Sequence, residues 1–192
     1  MGRKPKTTTA MNRTRILDTT SRLIKERGLS AISLADIAAA VKMSKGTLHY
    51  YYPSKSELIF DIAERSMSHM TQKIFGWVEK SREATSPEDI LKIVFDTILK
   101  SRSRGQIHLY LILEALTDEA LRKRFCAEYV KWLGIIRLGL DSILPPGRDT
   151  ALLAQILLTS IYGLLVRCFL GAPKPPLDEI SRFLVSASAP SP

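Results

Sequence analysis

Apolar side chains recur along this sequence at spacings of three and four residues, and strand-like alternation is absent. The pattern predicts an all-α fold of about nine helices. The first stripe, Ile16, Leu17, Thr20, Leu23 and Ile24, belongs to a helix from about Asn12 to Arg27 that stops at Gly28. Ser33, with Asp36 three residues on, opens a short second helix whose apolar face is Leu34, Ile37, Ala38 and Val41. Lys42 and Met43 make a turn. Ser44, with Thr47 three residues on, caps a third helix, and Leu48 and Tyr52 are its inward anchors. Pro53 ends that helix, and Ser54 to Glu57 is a capping box for the next.

The later helices are longer. The fourth runs through Leu58, Ile59, Ile62, Ala63, Met67, Met70 and Ile74 towards Lys80. Ser86 and Pro87 start a fifth, Ile90 to Leu99. Arg102 to Gly105 read as a break before a sixth, Ile107 to Leu116, which is apolar nearly all round and hence central. Thr117 opens an amphipathic helix to about Leu140, ended by the Leu144-Pro145-Pro146-Gly147 cluster. Ala151 to Leu170 is long enough to span a bilayer. Gln155, Thr159, Ser160 and Arg167 interrupt it, and an arginine within a span is costly. It reads as a helix covered on most sides, in a core and at a subunit contact. Leu177 to about Ala187 is the last helix, and the two C-terminal helices suggest a homodimer joined through a four-helix bundle. The organisation expected is a flexible basic arm (1–11), a head (12–60), a body (61–187) and a frayed tail (188–192).

Charge sharpens the division. The chain has 28 Lys and Arg against 19 Asp and Glu, a net charge of +9. Up to Lys55 there are 11 basic and 3 acidic residues, and the remainder is nearly neutral with 17 and 16. A basic head on a neutral body points to a polyanionic partner. The arm, with Arg3, Lys4 and Lys6, fits both an inert leader and a segment that follows DNA. The basic start has no apolar run behind it, so it is not read as a signal peptide. Cys126 and Cys168 lie in apolar helical patterns without CxxC spacing and read as buried free thiols.

The third helix carries unusual chemistry for a core element. With Leu48 and Tyr52 inward, Lys45, Gly46, Thr47, His49, Tyr50 and Tyr51 are left for the other faces. Lysine donates to guanine O6 and N7, and threonine offers a hydroxyl and a methyl to base edges. Gly46 removes a side chain where backbone approaches DNA. The tyrosines, the histidine and the helix N-terminus at Ser44 suit phosphates. Lys55, in the first turn of the fourth helix, is unfavourable to the helix dipole unless compensated, and a DNA phosphate would do so.

Residues 12 to 63 resemble the DNA-binding head of the tetracycline-repressor (TetR) family of bacterial regulators. The residues that carry the resemblance are Ile16, Leu17, Gly28, Ser33 to Ala38, Val41, Ser44 to Leu48, Tyr50, Tyr52, Ser54, Lys55 and Leu58. His49 stands where that family often has tyrosine, and Tyr52 where it has phenylalanine. The resemblance implies a helix-turn-helix head and an effector-binding, dimerising helical body. It implies backbone contacts from Ser33, His49, Tyr51 and Lys55, and base contacts from Lys45, Gly46 and Thr47. It further implies double-stranded operator DNA as partner, a small-molecule effector and a bacterial cytoplasmic location. Release of a repressor by ligand is the usual mode; activation and ligand-independent binding stay open.

For an effector, Met67, Met70, Phe95, Tyr110, Trp132 and Tyr162 are candidate lining, with Glu114 and Arg167 as polar handles. Arg167 stands out because a charge in so apolar a helix needs a partner, with Glu114 and Asp141 as candidates; surface exposure or a bridge across the dimer satisfies it as well. No GxSxG, HExxH, Walker loop or GxGxxG occurs, and the three histidines are scattered. No catalytic residue, metal site or cofactor is expected.

Overall fold

Side-chain caps set the boundaries of the early helices. The computed structural model describes residues 6–187, and all the regular structure among them is helical. The order is α1 (Lys6–Arg27), α2 (Leu34–Ala40), α3 (Lys45–Tyr51), α4 (Lys55–Ser81), α5 (Pro87–Leu99), α6 (Arg102–Ala115), α7 (Glu119–Ile143), α8 (Thr150–Phe169) and α9 (Leu177–Ala187). Ser33 caps α2 in a full capping box with Asp36, Ser44 caps α3 through the Thr47 N–H, and Ser86 caps α5 with Pro87 following.

Two starts differ from expectation. α1 begins at Lys6, so the flexible arm expected over 1–11 is helical from Lys6 to Met11. A threonine run with no breaker inside it extends a helix already nucleated by the Ile16 to Ile24 stripe. The rest of the arm, and the tail at 188–192, lie outside the described residues. Arg102 to Gly105 form the first turn of α6 rather than a break. Gly105 is buried there because an added Cβ would stand 2.7 Å from Phe169 Cε2 and 3.0 Å from Leu165 Cδ2. That glycine marks close packing of α6 on α8, not a loop. The cysteines also differ: both are free but exposed, lying off the buried stripes of α7 and α8.

The chain forms two units. One comprises the chain up to Met67 together with Gln106–Lys123; the other comprises Ser68–Gly105 together with Arg124 onward. The first unit thus takes in the greater part of α6, a stretch that the sequence places in the body. Its core is built from Ile16, Leu23, Ile24, Ile37, Val41, Leu48, Tyr52, Leu58 and Ile59, all buried. The core of the second unit joins Leu91 and Phe95 of α5 to Leu140 of α7 and Leu144 just past its end, Leu153, Leu157 and Leu164 of α8, and Leu177 and Leu184 of α9.

The turn from α2 to α3 fixes the angle between those helices. Met43 N–H donates to Ala38 O (2.9 Å) and Lys42 N–H to Ala39 O (3.1 Å), the paired bonds of a Schellman ending. Its left-handed position, φ +54°, is held by Lys42, where glycine is the usual occupant. Lys42→Gly is expected to raise stability by about 1 kcal/mol. Urea unfolding of the two proteins side by side checks this; an unchanged or lower midpoint would show that the lysine is not strained.

Candidate nucleic-acid interface

Helix α3 spans only seven residues, so its position depends on what it buries. Leu48 is 1 % exposed and Tyr52 1 %, as anchors should be. The Tyr52 hydroxyl reaches the edge of the core and donates to Asp61 Oδ2 at 3.0 Å. Burial first, then the Asp61 charge, pushes its pKa well up, so it stays a neutral donor.

Tyr51 departs from its expected role. It is 8 % exposed, and its hydroxyl accepts a hydrogen bond from Asn12 Nδ2 at 3.0 Å. Positions 48, 51 and 52 fall at i, i+3 and i+4, so helical spacing alone places Tyr51 beside the two anchors. Arg13 completes the attachment. Its guanidinium donates to Tyr51 O at 3.4 Å and lies over the Tyr52 ring at 5.2 Å. Asn12 and Arg13 of α1 therefore fasten the C-terminal end of α3, a role that sequence reasoning did not assign to them.

The outer face is left bare. Lys45, Gly46, Thr47 and His49 are exposed, and Tyr50 is 81 % exposed with its ring edge-on to Tyr51 at 5.4 Å. Ser44 Oγ accepts the Thr47 N–H at 3.0 Å and lies 2.8 Å from Thr47 Oγ1. At Gly46 an added Cβ would meet only Ser44 Oγ, at 4.0 Å. Nothing inside the protein explains a glycine there.

Two expected phosphate contacts are otherwise engaged. Ser33 Oγ donates its single proton to Asp36 Oδ2 at 2.6 Å, so in this arrangement it has none for a phosphate. That bond, with the Ser33 N–H bond to the same oxygen at 2.8 Å, holds the Asp36 carboxyl below its usual range. Lys55 turns inward and donates to Leu29 O at 2.8 Å, with Nζ 5.8 Å from the centre of the Tyr110 ring. Burial lowers its pKa, and the nearby Glu114 charge opposes that. The helix-dipole conflict foreseen for Lys55 is thus met from within the protein.

The candidate effector residues are divided between the two units. Tyr110 and Glu114 belong to the first unit, beside Lys55, where burial and then Glu114 push the Tyr110 phenol up to about 12. Phe95 is fully buried in the core of the second unit, which makes it a packing residue. Arg167 is exposed, and its guanidinium approaches Pro173 O at 3.4 Å, so of the alternatives open for this charge the structure shows exposure. Met70 and Trp132 are buried, Trp132 edge-on to Phe125 at 5.6 Å, while Met67 and Tyr162 are partly covered. Among the described residues, no group of three or more His, Cys, Asp or Glu side chains is arranged to hold a metal ion.

Comparison with known proteins bears on this face. The family model described as bacterial regulatory proteins, tetR family, matches residues 16–62. The HTH-type transcriptional regulator AcrR of Shigella flexneri is 31% identical over 130 residues, which cover 68% of this chain and 53% of AcrR. The chain therefore spans about half the length of that relative. Thermus thermophilus FadR, solved in complex with lauroyl-CoA, superposes with a TM-score of 0.68 at 20% identity, covering 94% of this chain and 98% of that one. A transcriptional regulator from Saccharomonospora viridis in complex with choline gives 0.67 at 22% identity, covering 91% and 94%. These two likenesses establish the fold.

Gly46 supplies a test that separates folding from recognition. Gly46→Ala is expected to leave the melting temperature equal or higher, since alanine favours a helix over glycine by up to about 1 kcal/mol. Its affinity for duplex DNA is expected to fall at least about tenfold if backbone meets DNA there. Thermal melts and gel shifts on the same preparation decide it; a stable variant that binds DNA normally would remove Gly46 from the interface.

Proposed function

We propose that this chain, which belongs to the tetR family of bacterial regulatory proteins, is a homodimeric, sequence-specific DNA-binding regulator of transcription in the bacterial cytoplasm. The observation that carries the reading is α3. Its three anchors are inward, and its remaining side chains are exposed, small, polar or basic, with a glycine that packing does not require. Lys45 and Thr47 read base edges in the major groove, Gly46 admits the backbone, and His49 and Tyr50 meet phosphates. The net positive charge up to Lys55 draws the head to DNA at long range.

The dimer is supported by α8. Leu152, Ile156, Thr159, Gly163, Val166 and Leu170 are all exposed, and they step by four, three, four, three and four residues, the spacing of a helix-helix seam. Phe183 of α9 is exposed as well. α8 is long and apolar enough to cross a membrane. A twofold partner covers the same apolar stripe, and places two α3 helices on a near-palindromic operator.

Regulation by a small organic effector, with the protein acting as a repressor that the effector releases, is the further part of the proposal. FadR and the Saccharomonospora regulator are named in complexes with lauroyl-CoA and choline. Within the second unit Met70, Trp132 and Tyr162 remain as candidate lining; burial pushes the Tyr162 phenol well up.

Selection of bound fragments from genomic DNA should return a palindrome. Lys45→Ala or Thr47→Ala is expected to lower preference for that palindrome over unrelated DNA by roughly tenfold or more, and recovery of random fragments only would overturn the reading. Val166→Glu is expected to shift the protein from dimer to monomer in sedimentation and to weaken operator binding with it. An unchanged mass would place the dimer contact elsewhere.

A further inference from the structure

Lys55 is the one basic residue of the expected DNA face whose ammonium is engaged inside the protein. Three groups form its seat. Leu29 O, two residues beyond the end of α1 at Arg27, accepts its hydrogen bond at 2.8 Å. The Tyr110 ring offers its π face to Nζ from a distance of 5.8 Å. Glu114, one turn further along α6, supplies the nearby negative charge that favours the ammonium. Two of the three partners therefore come from α6.

The position of Lys55 in its own helix gives the seat its meaning. α4 begins at Lys55, with Ser54 Oγ accepting the Glu57 N–H at 3.1 Å. The ammonium springs from the end of a helix whose free N–H groups repel a cation and attract an anion. A phosphate arriving there would be drawn by the helix end and would attract the ammonium too. To answer it, Lys55 must leave the carbonyl and the ring.

We propose that α6 and the DNA backbone compete for the Lys55 ammonium, so that the seat of Leu29, Tyr110 and Glu114 acts as a brake on DNA binding. The proposal rests on the DNA-binding reading given above. α6 is suited to the task by its course. Its first residues belong to the second unit, where Gly105 lies against Phe169 and Leu165 of α8 with no room for a Cβ. Its later residues, Tyr110 and Glu114, belong to the first unit and hold the lysine. A shift of α6 along or about its axis would change the seat without touching α3. Because binding free energies are reciprocal, DNA that captures Lys55 would also release α6.

The test uses the full chain and the palindrome selected from genomic DNA, with affinity measured by fluorescence anisotropy over a range of salt concentrations. Tyr110→Leu and Glu114→Gln each weaken the seat and are expected to tighten DNA binding about three- to fivefold. Lys55→Met is expected to weaken binding and to reduce the slope of log K against log salt by about 0.9, one phosphate contact. In the Lys55→Met background, Tyr110→Leu should have no effect. Looser or unchanged binding by both Tyr110→Leu and Glu114→Gln would overturn the brake. So would tightening that persists without Lys55, or a Lys55→Met protein with the wild-type salt slope, which would make Lys55 an internal strut. A wild-type protein that binds no selected duplex would instead refute the DNA-binding reading itself. Melting temperatures recorded on each variant guard against loss of fold, and Glu114→Gln, which keeps the size of the side chain, is the decisive variant should Tyr110→Leu unfold.

Discussion

A seven-residue helix has almost no stability of its own, because nucleation costs more than so few backbone hydrogen bonds return. α3 exists because Leu48, Tyr51 and Tyr52 are held from outside it. The core of the head takes Leu48 and Tyr52, Asp61 takes the Tyr52 hydroxyl, and Asn12 and Arg13 take the Tyr51 end. That attachment uses one side of the helix completely and leaves the other without any structural duty. Lys45, Gly46, Thr47, His49 and Tyr50 are therefore free to be chosen for what lies outside the protein. The same constraint explains the length of α1. Its N-terminal turns, beyond the stripe that packs on α2, are what bring Asn12 and Arg13 to the end of α3.

Charge placement follows a similar division. The positive residues of the head include some that serve the fold and some that do not. Arg13 satisfies a carbonyl at the end of α3, and Arg65 pairs with Asp18 across α1 and α4. The Arg65–Asp18 pair is exposed, so it contributes little to stability, and its value lies in orientation. Lys55 belongs with them in this structure, tied to Leu29 and Tyr110. Its surroundings are only partly desolvated, and a cation there is neither fully committed nor fully free. Such a group can change partners at small cost, whereas a fully buried ion pair would not.

Much of this was legible in the sequence, for reasons that differ by level. Caps and stripes carry local information, so Ser33, Ser44, Ser86 and Gly28 located the helices they bound. The helix at Lys6 was missed because it has no capping signal of its own, and the first turn of α6 because Gly105 reads as a break although the Ser101 hydroxyl accepts the Arg104 N–H at 3.5 Å. The first rides on a helix already formed, and the second is set by Gly105 against Phe169, a contact between residues 64 positions apart. The inward seat of Lys55 was not legible for the same kind of reason. Its partners Leu29 and Tyr110 are distant in the chain, and no pattern along α4 reveals them. Tyr51 is the exception, since its neighbours Leu48 and Tyr52 announced its direction. Arg167 left buried pairing and exposure open, since the pattern of so apolar a helix does not say which side turns outward; the structure turns that side to the surface.

That orientation of α8 bears on why a helix in a bundle should be apolar to the point of resembling a membrane span. A helix buried on one side needs an apolar stripe on that side only. α8 has two. Leu153, Leu157 and Leu164 belong to the core of the second unit, and Leu158 and Leu165 are buried as well, while Leu152, Ile156, Gly163, Val166 and Leu170 are exposed. One stripe satisfies the fold, and the other is left uncovered along the full length of the helix. Both cannot be accounted for by a single chain. Gly163, in the middle of the outer stripe with nothing within 4 Å of an added Cβ, is the point where a second helix could approach most closely. The excess hydrophobicity that raises the question of a bilayer would suit a helix shared between its own core and the twofold partner proposed above.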